Sequence, residues 1–173
     1  MSKQNESLIT IRRAEPRDGP ALFLLARAFA TSFAVEQAAF ERAFAELGAQ
    51  PEAFLAVAEA GGEVAGYVLG FDHWTFFANG RVAWVEEIMV AEAFRRQGIG
   101  RRLMAEFEAW AQGREAKMIA LATRRASDFY GALGYEESAA YFRKRLLPES
   151  RKKFEAVLAK VASAPPDPRD TAV

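Results

Sequence analysis

The chain has 173 residues, 23 basic and 23 acidic side chains, one histidine and no cysteine. Zero net charge provides no global field that favours nucleic acid or an anionic membrane. The missing cysteine excludes disulfides, thiolate catalysis and cysteine metal sites, and a lone His73 excludes a histidine metal cluster, so no metal is predicted. No apolar run is long enough to span a bilayer, and the polar N-terminus lacks a signal core, which predicts a cytoplasmic protein.

Apolar periodicity predicts strands and helices that alternate after an early hairpin, whose turn is Gly61-Gly62. This order predicts an α/β fold, a mixed sheet with helices on both faces. In chain order, the predicted elements are a strand over 8–12, a helix that starts near Asp18, a helix over 35–47, strands over 53–60 and 63–71, an aromatic loop over 72–80, a strand over 82–90, a helix over 100–112, a strand over 117–123, a short helix over 126–133 and a strand over 141–146.

The C-terminal part is predicted to be an addition to one domain that spans residues 1–147. Apolar residues recur at helical spacing after Pro148, so an amphipathic helix is predicted over 148–162. Such a helix would cover an apolar patch on its own domain or on a second copy of the chain, which leaves a homodimer open. The proline-rich residues 163–173 are predicted to be disordered.

The most informative segment is an Arg/Gly-rich loop between the strand that ends at Val90 and the following helix. Gly98 and Gly100 have no side chains, so the backbone can approach a ligand closely. The first N–H groups of the helix have no intrahelical partners and lie at the positive end of its dipole. The segment therefore predicts a site for phosphate or pyrophosphate, with extra positive charge from Arg95, Arg96, Arg101 and Arg102.

Two common phosphate loops do not match this segment. The spacing of a P-loop is absent, so no lysine is placed to reach a terminal phosphate. Leu103 stands where a dinucleotide fingerprint needs its third glycine. An arginine-rich helix start on a solvated surface stays open as the simpler interpretation of the loop alone.

Three separated motifs resemble the GNAT family of N-acetyltransferases. Arg95-x-x-Gly98-x-Gly100 is similar to the loop with which that family binds the pyrophosphate of acetyl-CoA. The segment 126–135 resembles the late A-x-x-F-Y-x-x-L-G-F/Y motif, and the segment 84–90 resembles the acidic strand of polyamine and glucosamine-6-phosphate acetyltransferases. The resemblance covers roughly residues 9–146.

This resemblance implies a fold and an activity. The expected fold is a GNAT-like, mostly antiparallel sheet of six to seven strands, in which two central parallel strands splay apart. The expected activity is transfer of acetyl from acetyl-CoA, as cosubstrate, to a primary amine of a small acceptor by direct attack in a ternary complex. The alternative from another class is a non-catalytic acetyl-CoA sensor or assembly module. Nucleic-acid binding is disfavoured, because the chain has no basic stripe.

The resemblance also implies which residues contact the coenzyme. The strand end is expected to offer backbone groups to the pantetheine arm, and the loop to hold the pyrophosphate. In many members an asparagine near this position contacts the coenzyme. Here Thr123 stands near that place, which puts the usual contact by an amide side chain in doubt. The full expected set is Ile88, Met89, Val90, Arg95, Arg96, Gln97, Gly98, Ile99, Gly100, Arg101, Thr123 and Phe129.

By the same resemblance, Glu86 is the expected general base, acting through water, and Tyr130 the expected proton donor to the leaving thiolate. The simpler alternatives are ion pairs with arginines at the strand end for Glu86, Glu87 or both, and core packing for Tyr130. Adjacent strand residues point to opposite faces unless a bulge re-aims them, so Glu87 is expected to grip the cationic amine instead. His73 is a further candidate for the base.

The acceptor side is predicted from charge and aromatic content. Asp72 and Trp74, together with Glu87, are expected to bind the substrate, with Phe76 and Phe77 as a further apolar wall. Packing of a lid or a dimer contact is the open alternative for these aromatic residues. Carboxylates favour a cationic substrate, so polyamine or amino-acid-like acceptors are expected over phosphorylated sugars.

Overall fold

The structure is a computed structural model that describes residues 9–31 and 33–146. The predicted helix over 148–162 and the tail over 163–173 lie outside the described residues. The strands are β1 (Ile9–Arg13), β2 (Ala53–Ala60), β3 (Glu63–Thr75), β4 (Gly80–Val90) and β5 (Ala116–Leu121), and the α-helices are α1 (Gly19–Phe29), α2 (Gln37–Ala49), α3 (Ile99–Gly113) and α4 (Ser127–Gly131). Short 3-10 helices form at Pro16–Asp18 and Glu92–Phe94.

The strands form one sheet in the order β1-β2-β3-β4-β5. The first three pairings are antiparallel, and β4 pairs with β5 in parallel. The predicted mixed, mostly antiparallel sheet is therefore confirmed. Its described part has five strands rather than six to seven, because residues 141–146 have no regular secondary structure and β5 forms an edge. Three consecutive cations at 143–145 interrupt the alternation that a half-buried strand needs.

The β3–β4 hairpin is longer than predicted. The segment 72–80 was expected to be an aromatic loop, yet β3 runs on to Thr75, which pairs with Gly80. The turn is confined to residues 76–79, where Asn79 adopts a positive φ of 52°. The aromatic and β-branched residues at the end of β3 favour a strand. They were predicted as a loop because their pairing with β4 is not visible in a local sequence pattern.

Helices cover both faces of the sheet, as predicted. On one face, α3 contributes Leu103 and Phe107 to a core that includes Val68 and Val85. On the other face, α1 packs Leu22 and Leu25 against Val57, Tyr67 and Leu69. We refer to these as the α3 face and the α1 face.

A β-bulge interrupts β4 at Glu86. Leu69 pairs with Glu87 and Gly70 pairs with Val85, so Glu86 has no counterpart on β3. The extra residue shifts the alternation of β4 by one position: Val85 before it and Ile88 after it both pack on the α3 face. A Cβ at Gly70 would lie 2.3 Å from the Phe107 ring and 2.6 Å from the Trp84 carbonyl oxygen, so this position opposite the bulge admits only glycine.

Contacts divide the chain into two units, Met1–Glu136 and Glu137–Val173. The sheet and all four α-helices belong to the first unit. Residues 137–146, the described part of the second unit, have no regular secondary structure. Across residues 9–31 and 33–146, no helix combines the length and the apolar character needed to cross a membrane.

Candidate functional site

Strands β4 and β5 separate where the bulge begins. Their parallel pairing runs from Arg81↔Ala116 to Val85↔Leu121, where β5 ends. Strand β4 continues for five more residues, 86–90, which keep β3 as a neighbour but no longer face β5. The backbone of Ile88, Met89 and Val90 therefore lies along an open strand edge, onto which an extended ligand can pair like an additional strand.

The loop after β4 leads directly into the N-terminus of α3. Gly98 is the N-cap residue with a left-handed φ of 76°, and no side chain caps the helix. The first intrahelical bond shown at this end runs from the Arg102 N–H to the Gly98 carbonyl at 3.1 Å. The N–H groups of Ile99, Gly100 and Arg101 precede it and lie at the positive end of a 15-residue helix. This arrangement fits a pyrophosphate.

The polar side chains of the loop divide into two groups. Arg95 donates from Nε to the Val90 carbonyl at 3.2 Å, and Gln97 donates to the Ala93 carbonyl at 3.4 Å, so both stabilise the loop itself. Arg96, which has a positive φ of 62°, and Arg101 are exposed. These two exposed guanidinium groups can supply forked donors to phosphate oxygens.

Helix α4 brings two aromatic rings to the same region. A Cβ at Gly100 would lie 3.2 Å from the Phe129 ring, so this ring covers the first turn of α3. Tyr130 is 8% exposed and contacts the rings of Phe129 and Tyr135. Burial raises the pKa of Tyr130, which keeps the phenol protonated at neutral pH. Within the described residues its hydroxyl has no hydrogen-bond partner, so the proton is available to a ligand.

Thr123 has a local structural role. Its hydroxyl oxygen accepts hydrogen bonds from the backbone N–H of Ala126 at 3.1 Å and of Arg125 at 3.4 Å. These bonds shape the turn that leads into α4. The position predicted to replace the coenzyme-binding asparagine therefore orders the segment that carries Tyr130.

The adjacent acidic residues sit at the bulge in different environments. Glu86 is exposed, while Glu87 is half-buried and accepts a hydrogen bond from the Tyr67 hydroxyl at 2.5 Å. Burial raises the pKa of Glu87, and the negative charge of Glu86 raises it further, while the Tyr67 bond acts in the opposite direction. Glu86 and Glu87 are consecutive residues at the bulge, where simple alternation between the two faces does not hold.

Two of the candidate residues lie on different faces of the sheet. Glu87, the candidate for holding the amine, is linked to Tyr67, a residue of the α1-face core, whereas Tyr130, the candidate proton donor, belongs to the α3-face core. The open edge of β4 runs between the two faces. A group that holds the acceptor and a group that protonates the leaving atom can therefore approach a ligand on this edge from opposite sides.

Asp72 does not fit the predicted acceptor site. It is 1% exposed, and its carboxylate pairs with Arg81 on β4 and with Arg114 at the C-terminal end of α3. Asp72 lies four positions from Val68 on β3, which places it on the α3 face, away from Glu87. Burial alone would raise the pKa of Asp72, but its hydrogen bonds and charge interactions with the two arginines lower it overall. The carboxylate is used inside the protein rather than offered to a substrate.

Trp74 and His73 also lie away from the bulge. Both are exposed near the hairpin turn, about 13 Å or more along β3 from the residue that pairs with Glu87. The Arg81 guanidinium lies 5.2 Å from the centre of the Trp74 ring, beside a cavity of about 410 Å³. The structure thus brings Glu86 and Glu87 together and places His73, Asp72 and Trp74 nearer to the hairpin turn.

Replacing Asp72 with asparagine is expected to destabilise the protein by about 3 kcal/mol, because two partly buried arginines lose their counter-charge. Since the pKa of Asp72 is lowered on folding, this stabilisation is present above the ordinary aspartate pKa and is lost as the pH falls through the folded-state value. Urea unfolding across a pH series measures the difference. A raised KM for the acceptor at unchanged stability would instead assign Asp72 to the substrate.

The sequence matches a family of acetyltransferases. A family model described as the acetyltransferase (GNAT) family matches residues 21–135, which include the acidic strand, the glycine loop and α4. No curated protein matches the sequence.

Solved structures share the fold. Glucosamine-6-phosphate N-acetyltransferase from Arabidopsis thaliana has 19% sequence identity and a TM-score of 0.72, over 80% of this chain and 99% of that one. A transcriptional regulator from Bacillus halodurans C-125 has 23% identity and a TM-score of 0.74, over 80% and 100%. AAC(6')-Iy, solved with a CoA-containing bisubstrate analog, has 20% identity and a TM-score of 0.69, over 80% and 99%.

Proposed function

Because the chain belongs to the acetyltransferase (GNAT) family, and is accordingly an N-acetyltransferase that uses acetyl-CoA, we propose that its acceptor is a small cationic primary amine. The observation that carries the proposal is the coincidence of two features on β4. The strand loses β5 as a neighbour after Val85, and the next two residues are the carboxylates Glu86 and Glu87. An acceptor that reaches the open edge therefore meets negative charge first.

The coenzyme residues are proposed from the same geometry. The edge at 88–90 would hold the pantetheine arm, and the N–H groups at 99–101 with Arg96 and Arg101 would hold the pyrophosphate. Phe129 would cover the first turn of α3 from the other side. Acetyl-CoA supplies an acetyl group activated as a thioester, so this chain needs only to position it, deprotonate the amine and protonate the departing sulfur.

We assign those proton transfers to two residues. Glu86, exposed at the bulge, accepts a proton from the acceptor ammonium through water, which frees the nitrogen lone pair. The nitrogen then bonds to the acetyl carbonyl carbon, the carbon–sulfur bond breaks, and Tyr130 donates its proton to the thiolate. The attacking nitrogen, which is cationic after attack, loses its second proton to solvent, and solvent returns a proton to the Tyr130 phenolate. The products are the amide and the CoA thiol, with one proton left on Glu86. No cysteine is present to form an acyl-enzyme, which supports direct attack in a ternary complex.

The acceptor class follows from the charges at the entrance. The Glu86/Glu87 pair attracts an ammonium group and repels a phosphate ester. Solved structures with the same fold include AAC(6')-Iy, whose bisubstrate analog contains acetylneamine, and glucosamine-6-phosphate N-acetyltransferase. The acidic pair favours acceptors of polyamine or amino-acid type for this chain.

Steady-state kinetics with spermidine, lysine analogues, aminoglycosides and glucosamine 6-phosphate test the acceptor. We expect kcat/KM for at least one cationic amine to exceed that for the phosphosugar about tenfold or more, with intersecting double-reciprocal lines. A thiol reagent reports the released CoA without background, because the chain has no cysteine.

Two results would overturn the proposal. A higher kcat/KM for glucosamine 6-phosphate than for every cationic amine contradicts the acceptor class. Tight CoA binding with no thiol released from any amine in the panel contradicts catalysis and favours the alternative, a non-catalytic sensor of acetyl-CoA.

A further inference from the structure

Tyr67 is a residue that sequence motifs do not single out, yet it contacts the proposed acceptor site directly. Its hydroxyl donates to Glu87 Oε2 at 2.5 Å, a short, charge-assisted bond between neighbouring strands. The residue is 3% exposed, so the donor belongs to the core, while its acceptor is half-buried at the open edge of β4. A bond of this kind fixes the direction of the carboxylate.

The ring of Tyr67 is held firmly by its surroundings. It packs in the α1-face core with Leu22 and Leu25 of α1 and with Val57 and Leu69 of neighbouring strands. This apolar packing restricts the ring and therefore the position of the hydroxyl oxygen. Burial and the nearby Glu87 charge raise the pKa of Tyr67, so the phenol is a donor at every physiological pH.

We propose that Tyr67 is the positioning residue of the acceptor site: it fixes Glu87 beside Glu86, so that the two carboxylates bind one acceptor ammonium group together. This inference rests on the proposed function and adds a residue and a binding geometry to it. Glu87 uses one oxygen for Tyr67 and keeps acceptor capacity for a second donor. An ammonium group has three N–H donors, so it can bond to Glu87 directly and to Glu86 through a bridging water.

Charge explains why the site takes a cation. The groups that act on the Glu87 carboxyl are Tyr67 on β3 and Glu86 on β4, while α1 contributes apolar surface. The negative charge of Glu86 and the burial both disfavour a second charge at Glu87. A bound ammonium relieves both effects and lowers the pKa of Glu87, so binding releases a proton at pH values near that pKa.

Calorimetry on the full chain saturated with CoA, with spermidine as the probe, tests whether binding of the ammonium group releases a proton from Glu87. Titrations in buffers of different ionisation enthalpy, repeated over a pH series, give the number of protons released on binding. For the wild-type chain, we expect the number of protons released on binding to pass through a maximum as the pH is varied. In Tyr67→Phe this maximum should move to higher pH, because the variant lacks the hydrogen bond that lowers the pKa of Glu87. The KM for spermidine should rise about tenfold, while the KM for acetyl-CoA should stay unchanged.

Two further variants separate positioning from folding. Tyr135→Phe removes another phenol bonded to a glutamate, Glu108 at 3.0 Å, and should leave the proton-release maximum in place. Glu87→Gln keeps an oxygen that can accept from Tyr67 but cannot titrate, and should abolish the maximum.

The outcomes distinguish the inference from the proposed function. An active enzyme whose maximum is unmoved by Tyr67→Phe, or unaffected by Glu87→Gln, overturns the assignment of Tyr67 and leaves the acetyl transfer to cationic amines standing. A wild-type chain that neither binds nor acetylates spermidine, lysine analogues or aminoglycosides overturns both.

Discussion

Replacing Tyr130 with phenylalanine is expected to lower kcat about 100-fold, a barrier increase of about 2.7 kcal/mol, if protonation of the leaving thiolate limits the reaction. The variant keeps the ring that contacts Phe129 and Tyr135 and loses only a hydroxyl without a protein partner in the described part of the chain. We therefore expect the KM for acetyl-CoA and the melting temperature to change little. Initial rates and a melting curve on the same preparation measure all three.

Tyr135→Phe is the matched control for this experiment. It removes the phenol that donates to Glu108 from the same aromatic cluster, and should reduce stability by about 1 kcal/mol without a large effect on kcat. Equal rates for Tyr130→Phe and the wild-type chain would exclude Tyr130 as the proton donor and leave solvent in that role.

Gly98→Val is expected to weaken CoA binding about 100-fold, or about 2.7 kcal/mol. Gly98 is the left-handed N-cap of α3, with open space where a Cβ would stand. A branched side chain would occupy that space, into which the N–H groups of the helix start direct a phosphate. It would also disfavour the φ of 76° on which the loop depends. Calorimetry with CoA measures the loss of affinity.

Gly62→Val separates the loss of space for the phosphate from the cost of a valine at a positive φ. Gly62 also has a positive φ, of 85°, and open space around its Cβ, but it lies in the β2–β3 turn. The variant should carry a similar backbone cost of about 1–2 kcal/mol and bind CoA normally. Equal affinity losses in both variants would contradict the pyrophosphate loop and point to global destabilisation.

Local features of this chain were predictable from the sequence because their physics is local. The glycine loop depends on residues within one turn of Gly98, and the position of α3 follows from its own periodicity. The β2–β3 hairpin is set by Gly61-Gly62, and its turn appears at the expected residues. The resemblance to family motifs predicted the coenzyme and the acyl transfer, which cannot be predicted from the periodicity of apolar residues alone.

Features that depend on distant partners were missed. The bulge at Glu86 arises from pairing with β3, and strict alternation predicts opposite faces for Glu86 and Glu87. Tyr67 precedes Glu87 by 20 residues, and nothing near either one marks the bond. Asp72 looked like a loop carboxylate, because Arg81 and Arg114, which neutralise it, become its neighbours only when β3, β4 and α3 are assembled.

The single extra residue in β4 places a second carboxylate at the site without disturbing the core. If Glu86 were deleted, Val85, Glu87 and Ile88 would pair with Gly70, Leu69 and Val68 in regular alternation. Val85 and Ile88 would then stay on the α3 face, and Glu87 would stay on the side of Tyr67. Removing one residue from a strand usually moves every later side chain to the opposite face, but here it would remove the bulge and the proposed base while preserving the packing.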